Sequence, residues 1–137
     1  MPFTVKNSQL STDALNSLNV IMDKDINASA AFKLLRITKF ISSIVESKIK
    51  AEQMIFEKWS KKDENGKQIC GQDENGADIP DTIILSDLDS FSKEMSDLLN
   101  IENEIPYEKI TFEELGIKSL KVKDLAKIQF LFIDFED

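Results

Sequence analysis

The sequence contains no histidine, and that absence removes several kinds of chemistry at once. There is no imidazole to act as a general base, to activate a serine or cysteine, or to ligate a metal near neutral pH. Cysteine is almost as scarce. Cys70 is the only one, so no internal disulfide can form and no structural zinc set can be assembled. The four glycines stand at 66, 71, 76 and 116, in no GxGxxG or phosphate-loop spacing. No apolar run approaches the ~20 residues of a membrane span. Residues 1–7 lack the basic and apolar regions of a signal peptide. The expectation is a cytoplasmic protein with no cofactor, no membrane partner and no small-molecule substrate.

What is present fits one domain over residues 1–137, with 42% apolar and 31% charged residues. The charge is unevenly placed. Residues 1–80 hold 11 acids and 11 bases, whereas residues 81–137 hold 14 acids and 6 bases and so carry the whole net charge of −8. Within the neutral part, residues 33–62 are basic, with Lys33, Arg36, Lys39, Lys48, Lys50, Lys58, Lys61 and Lys62 against Glu46, Glu52 and Glu57. Such a split suits solvated helix faces. It also suits complementarity inside the chain or between copies. Nucleic acid is disfavoured as a partner, because the overall field repels phosphate.

Periodicity predicts an α+β fold, predominantly helical, with a long central helix packed with shorter helices and a small antiparallel β-sheet or hairpin. Phe3 and Val5 alternate in a short opening strand. A first helix is expected over 8–23, capped by Ser11 or Ser8, with Leu15, Leu18 and Met22 on one face. The dominant element is a helix over 28–60, capped by Asn27 or Ser29. Leu34, Ile37, Ile41, Ile44, Ala51, Ile55 and Trp59 form a 3-4 row, broken at Lys48. A second row, Phe32, Leu35, Val45, Ile49 and Phe56, widens the stripe. Such a helix spans roughly 45–50 Å, longer than a compact domain of this size needs. Some of its apolar face is therefore expected to meet another helix or another copy.

Asp63-Glu64-Asn65-Gly66 recurs as Asp73-Glu74-Asn75-Gly76. Asn-Gly favours type I′ turns, so residues 61–82 read as a polar hairpin or mobile loop. Neither copy has the acid order and late glutamate of an EF-hand loop. A third helix is expected over 87–100, capped by Ser86, with Leu88, Phe91, Met95 and Leu98 repeating at 3, 4, 3. Residues 104–110 read as an edge strand pairing with the N-terminal one, and 67–85 as a further contributor to the sheet. Thr111-Phe112-Glu113-Glu114 is a capping box, stopped by Gly116. A last helix over 120–133, capped by Ser119, carries Leu125, Ile128, Phe132 and Phe135. The long helix is expected antiparallel to the first and last helices.

Little in this inventory carries chemistry. Adjacent Glu113 and Glu114 diverge on a helix, and Cys70 has no activating base beside it. Carboxylate or metal chemistry needs two or more acids gathered in a pocket. The chain is therefore expected not to be an enzyme.

The order of features resembles a family of small bacteriophage and prophage proteins known only as a domain of unknown function. The residues that carry the likeness begin with Ala14-Leu15-Asn16-Ser17-Leu18 and Ala31-Phe32-Lys33-Leu34-Leu35-Arg36. Next come the long helix into Lys61-Lys62-Asp63-Glu64-Asn65-Gly66-Lys67 and the second Asp-Glu-Asn-Gly. Leu98-Leu99, Glu102–Ile105, Ile110-Thr111-Phe112-Glu113-Glu114-Leu115 and an apolar final helix complete it. The insert at 67–82 is longer and more polar than in that family. The resemblance implies a phage origin, an accessory or virion-associated role, and a location in the host cytoplasm or the virion. The expected partner is a phage structural protein, a host protein or another copy in a homo-oligomer. Ile41, Ile44, Ile55, Trp59, Phe132 and Phe135 are the expected partner-binding residues. The alternative is an acidic inhibitor of a host nucleic-acid-binding or defence protein, which needs the 81–137 acids exposed on one surface.

Overall fold

A run of 32 residues without glycine or proline forms one unbroken helix, α2 (Ala28–Trp59), in the computed structural model. The structure describes residues 2–66, 69–77, 79, 84–117 and 119–135, the side chain of Phe135 excepted. Before α2 come strand β1 (Phe3–Lys6) and helix α1 (Thr12–Met22); after it come α3 (Leu88–Leu99), β2 (Glu102–Ile105), α4 (Phe112–Leu115) and α5 (Val122–Ile128). The fold is α+β and mostly helical, with a long helix, shorter helices and a two-stranded antiparallel sheet. The chain divides into two compact units, Met1–Lys48 with Leu99–Asp137, and Ile49–Leu98.

In the first unit β1 pairs antiparallel with β2, Phe3 opposite Ile105 and Val5 opposite Asn103. Period-2 alternation turns Val5 and Ile105 inward. A polar clasp closes the end of the ladder. The Asn103 amide donates to the Val5 carbonyl at 3.1 Å and to Asn7 Oδ1 at 2.7 Å, and Asn7 N–H donates to the Ile101 carbonyl. That clasp holds residues 7–9 in a 3-10 turn, so α1 starts later than the expected residue 8. Ser11 is its cap, accepting from Ala14 N–H at 3.2 Å. Among the described residues the sheet has no third strand; part of the expected contributor at 67–85 lies outside the described residues.

α2 lays Ala30, Leu34, Ile37, Ile41 and Val45 into the core, beside Leu10, Ala14, Leu18 and Ile21. Lys48, the apparent fault in the apolar row, donates from Nζ to the Leu10 carbonyl at 2.9 Å. Its ammonium thus satisfies a backbone acceptor. α1 also packs closely on α5.

α4 is the expected capping box, with Thr111 Oγ1 accepting from Glu114 N–H and Glu114 Oε2 accepting from Thr111 N–H. Gly116 ends it at φ +72°. The last helix departs from expectation at both ends. Lys121, not Ser119, precedes it, and it stops at Ile128. The Ile110 N–H donates to the Leu131 carbonyl and its carbonyl accepts from Ile133 N–H. That pairing needs Phe132 extended, so the helix breaks into 3-10 turns around it. Tertiary pairing overrides the local 3, 4, 3 pattern.

In the second unit the two Asp-Glu-Asn-Gly copies form the same turn. Gly66 N–H donates to the Asp63 carbonyl and Gly76 N–H to that of Asp73. Asp63 and Asp73 accept from Asn65 and Asn75 N–H at 2.8 and 2.9 Å. The central residues are therefore Glu-Asn, and glycine follows at φ +80°. The turn is centred one residue earlier than the Asn-Gly pair on which a type I′ turn would be built, with a left-handed glycine after it. The bridge of Ser60 to Leu85 and the bond from Ile84 N–H to the Ile69 carbonyl tie this segment together. α3 is capped by Asp87, which accepts from Ser90 N–H and Oγ, so Ser86 is not its cap. The Ser86 hydroxyl instead donates to the Trp59 carbonyl.

Candidate protein-docking site

α3 is strongly amphipathic, yet none of its residues is buried. Leu88 is 62% exposed, and Phe91, Met95 and Leu98 are only half-buried. On α2, Ile49 is 40% exposed, Phe56 is also exposed, and Ile55 and Trp59 are half-buried. Among the described residues of the 49–98 unit no apolar side chain is buried at all. In the other unit sixteen are.

The two helices touch along this apolar side. The Phe56 and Phe91 rings lie 5.1 Å apart, and Glu94 bridges to α2 twice. It accepts from Lys58 Nζ and from Trp59 Nε1, both at 2.6 Å. The lysine bond first and the indole bond second pull its carboxyl below the usual glutamate range. Trp59 thus has its polar edge satisfied while its ring body is only partly covered. Met54, at 71% exposure, is a scattered surface residue of the kind any helix carries.

The expected partner-binding residues divide into three groups. Ile41 and Phe132 are fully buried core residues, and Ile44 packs against that core. No partner can reach Ile41 or Phe132 on this fold, because their apolar surface is already covered by their own unit. Ile55 and Trp59 are half-buried in the 49–98 unit, and Trp59 bonds to Glu94 of α3. Phe135 falls in the terminal 3-10 turn, with its side chain outside the described residues. The reading from sequence missed Ile49, Phe56, Leu88 and Phe91. The signal was present in the second row of the long helix and the 3, 4, 3 row of the third, both of which looked like core.

No protein-family model, no curated protein and no solved structure matches this chain.

Exposed apolar side chains also occur outside this unit, among them Phe32, Leu35 and Val122. A hollow of about 490 Å³ is lined by hydroxyls, amides and the lysines Lys109 and Lys127, with no carboxylate. A smaller one of about 150 Å³ holds one acid, Glu108, beside Lys33 and Arg36. The Arg36 guanidinium lies 4.8 Å from the Tyr107 ring centre and 5.7 Å from that of Phe32. Among the described residues, neither hollow brings two carboxylates together. Among the described residues no cluster of acids or thiols is placed to hold a metal ion, and no helix is long and apolar enough to cross a membrane.

The acidic half of the chain is partly neutralised by the basic stretch. Glu114 Oε1 accepts from Lys33 Nζ at 2.6 Å, as Glu94 accepts from Lys58. The lysine first and the Thr111 N–H second hold the Glu114 carboxyl below the usual range. A depressed folded pKa contributes stability that is present above the unfolded value and is lost as pH falls through the folded one. Unfolding midpoints in urea, measured from neutral pH downward, should decline through and below the ordinary glutamate range. Glu114→Gln should be less stable at neutral pH and show a shallower decline. An unchanged slope in the variant counts against this ion pair. The pair is partly solvent-exposed, so the effect is small and shrinks in high salt.

Proposed function

We propose that this chain is a non-catalytic protein-binding protein whose docking face is the apolar side of α2 and α3 in the 49–98 unit. One observation supports this most: an entire unit of helix, turns and helix carries an amphipathic α3 with no buried residue. Helices in water owe most of their stability to burial of one apolar face. A face left half-covered gains most from a partner that completes it. The resemblance in feature order to small phage and prophage proteins supports an accessory or virion-associated role, in the host cytoplasm or in the particle.

The acidic-inhibitor reading has less support. It needs carboxylates free on one surface, and Glu94 and Glu114 are held by lysines of the basic stretch. Asp87 caps its own helix.

The test compares tagged full-length chain with Leu88→Glu in infected host cells. Leu88 is exposed, so the substitution leaves the fold intact, which circular dichroism checks. Proteins captured specifically by the parent chain should be lost from the variant. Equal capture by both removes the α2–α3 face as the docking site.

A further inference from the structure

We infer that the 49–98 unit opens on its own, with α3 detaching from the end of α2 while the other unit stays folded, and that Glu94 is the latch of this opening. The opening is independent of the docking reading above and holds or fails without it. The distribution of burial carries it. α2 is one helix, and its residues Ala30, Leu34, Ile37, Ile41 and Val45 are buried. From Ile49 to Trp59 the same helix buries no side chain. Among the described residues of the 49–98 unit only the polar Ser60 is buried. All sixteen buried apolar side chains lie in the other unit, so opening leaves that core untouched.

Helices shorter than about 12–15 residues are marginal in water unless a face is buried. α3 has 12 residues, none of them buried. Segments with few buried apolar contacts open at a free energy well below that of global unfolding. What closes this unit is therefore largely specific bonding. The Ser86 N–H and hydroxyl donate to the Trp59 carbonyl at 2.7 and 3.0 Å, just ahead of α3. The Phe56 and Phe91 rings meet at 5.1 Å. Glu94 adds two bonds from one carboxylate, to Lys58 Nζ and Trp59 Nε1, both at 2.6 Å. Bonds to an ionised group are roughly twice as strong as neutral ones, which is why Glu94 sets the balance. Closed, the unit half-covers its aromatic side chains. Open, it gives Phe56, Trp59 and Phe91 to water together.

Hydrogen–deuterium exchange of the full chain, read residue by residue by NMR in rising sub-denaturing urea, tests this. Amides of residues 53–59 and 92–98 should exchange about a hundredfold faster than those of Leu34, Ile37, Ile41 and Val45. Their rates should also depend less on urea, because a partial opening exposes less surface. The step then falls inside one unbroken helix. Glu94→Gln keeps the side-chain shape and removes the charge. It should speed exchange at 53–59 and 92–98 by about threefold to tenfold and leave Leu34, Ile37, Ile41 and Val45 unchanged. Uniform protection along α2 and α3, with one urea dependence, overturns the separate opening. So does Glu94→Gln accelerating the core amides by the same factor. A step that is present but indifferent to Glu94→Gln removes Glu94 as the latch.

Discussion

Phe132→Ala should cost about 3–5 kcal/mol, the range for removing a large aromatic side chain from a core that cannot fully collapse. Phe132 is fully buried in the first unit. Its ring centre lies 6.0 Å from that of Phe112. Its backbone stands where Ile110 bonds to Leu131 and Ile133, so the walls of the cavity are fixed by hydrogen bonds on both sides. That limits relaxation and places the cost toward the upper end. A small domain has a total stability of about 5–15 kcal/mol, so the variant should unfold at a much lower urea concentration. Chemical denaturation followed by circular dichroism measures it. A loss under about 1 kcal/mol would falsify the placement of this side chain in the core.

Gly116→Ala should be the next most damaging, at about 2–4 kcal/mol, from two separable causes. Gly116 has φ +72°, where a side chain is strained whatever the space around it. A Cβ there also meets the Asn27 side chain, 2.9 Å from Nδ2 and 3.0 Å from Oδ1. Swinging the exposed Asn27 side chain aside gives up a hydrogen bond. Its Nδ2 donates to the Glu114 carbonyl at 3.0 Å, its own N–H donates to the Leu115 carbonyl, and its carbonyl accepts from Ala31 in the first turn of α2. A double-mutant cycle with Asn27→Ala separates the two terms. The pair should be less damaging than the sum of the single changes, because the steric conflict vanishes once Asn27 is gone. The backbone strain remains in both. Strict additivity would show that the contact with Asn27 contributes nothing.

These two positions illustrate different degrees of legibility. Gly116 was readable, since a capping box followed by glycine is a local signal that needs no tertiary information. Its approach to Asn27, some ninety residues earlier in the chain, was not. Phe132 was readable as apolar, and its row at 125, 128 and 132 predicted a helix. The pairing of Ile110 with the chain around it stopped that helix, and nothing in the local pattern reports a bond across more than twenty residues. The position of the two Asp-Glu-Asn-Gly turns was misread for a similar reason. The Asn-Gly dipeptide was noticed, but the aspartate two residues before it sets where the turn begins.

The docking face was the least legible feature. An apolar row at 3-4 spacing says that one side of a helix avoids water, and says it identically for a core and for an interface. In α2 the same kind of row is fully buried at Leu34, Ile37 and Ile41 and only half-buried at Ile55 and Trp59.

The sequence alone determined the long helix, through the absence of glycine and proline over 28–59, and the short opening strand and the capped turn at 111–116, through period-2 alternation and capping residues. It also determined what chemistry is missing, since a chain without histidine cannot borrow one from its fold. The tertiary structure alone decided which apolar residues are covered. Coverage depends on what elements distant in sequence do to one another, and periodicity records only which side of an element is greasy.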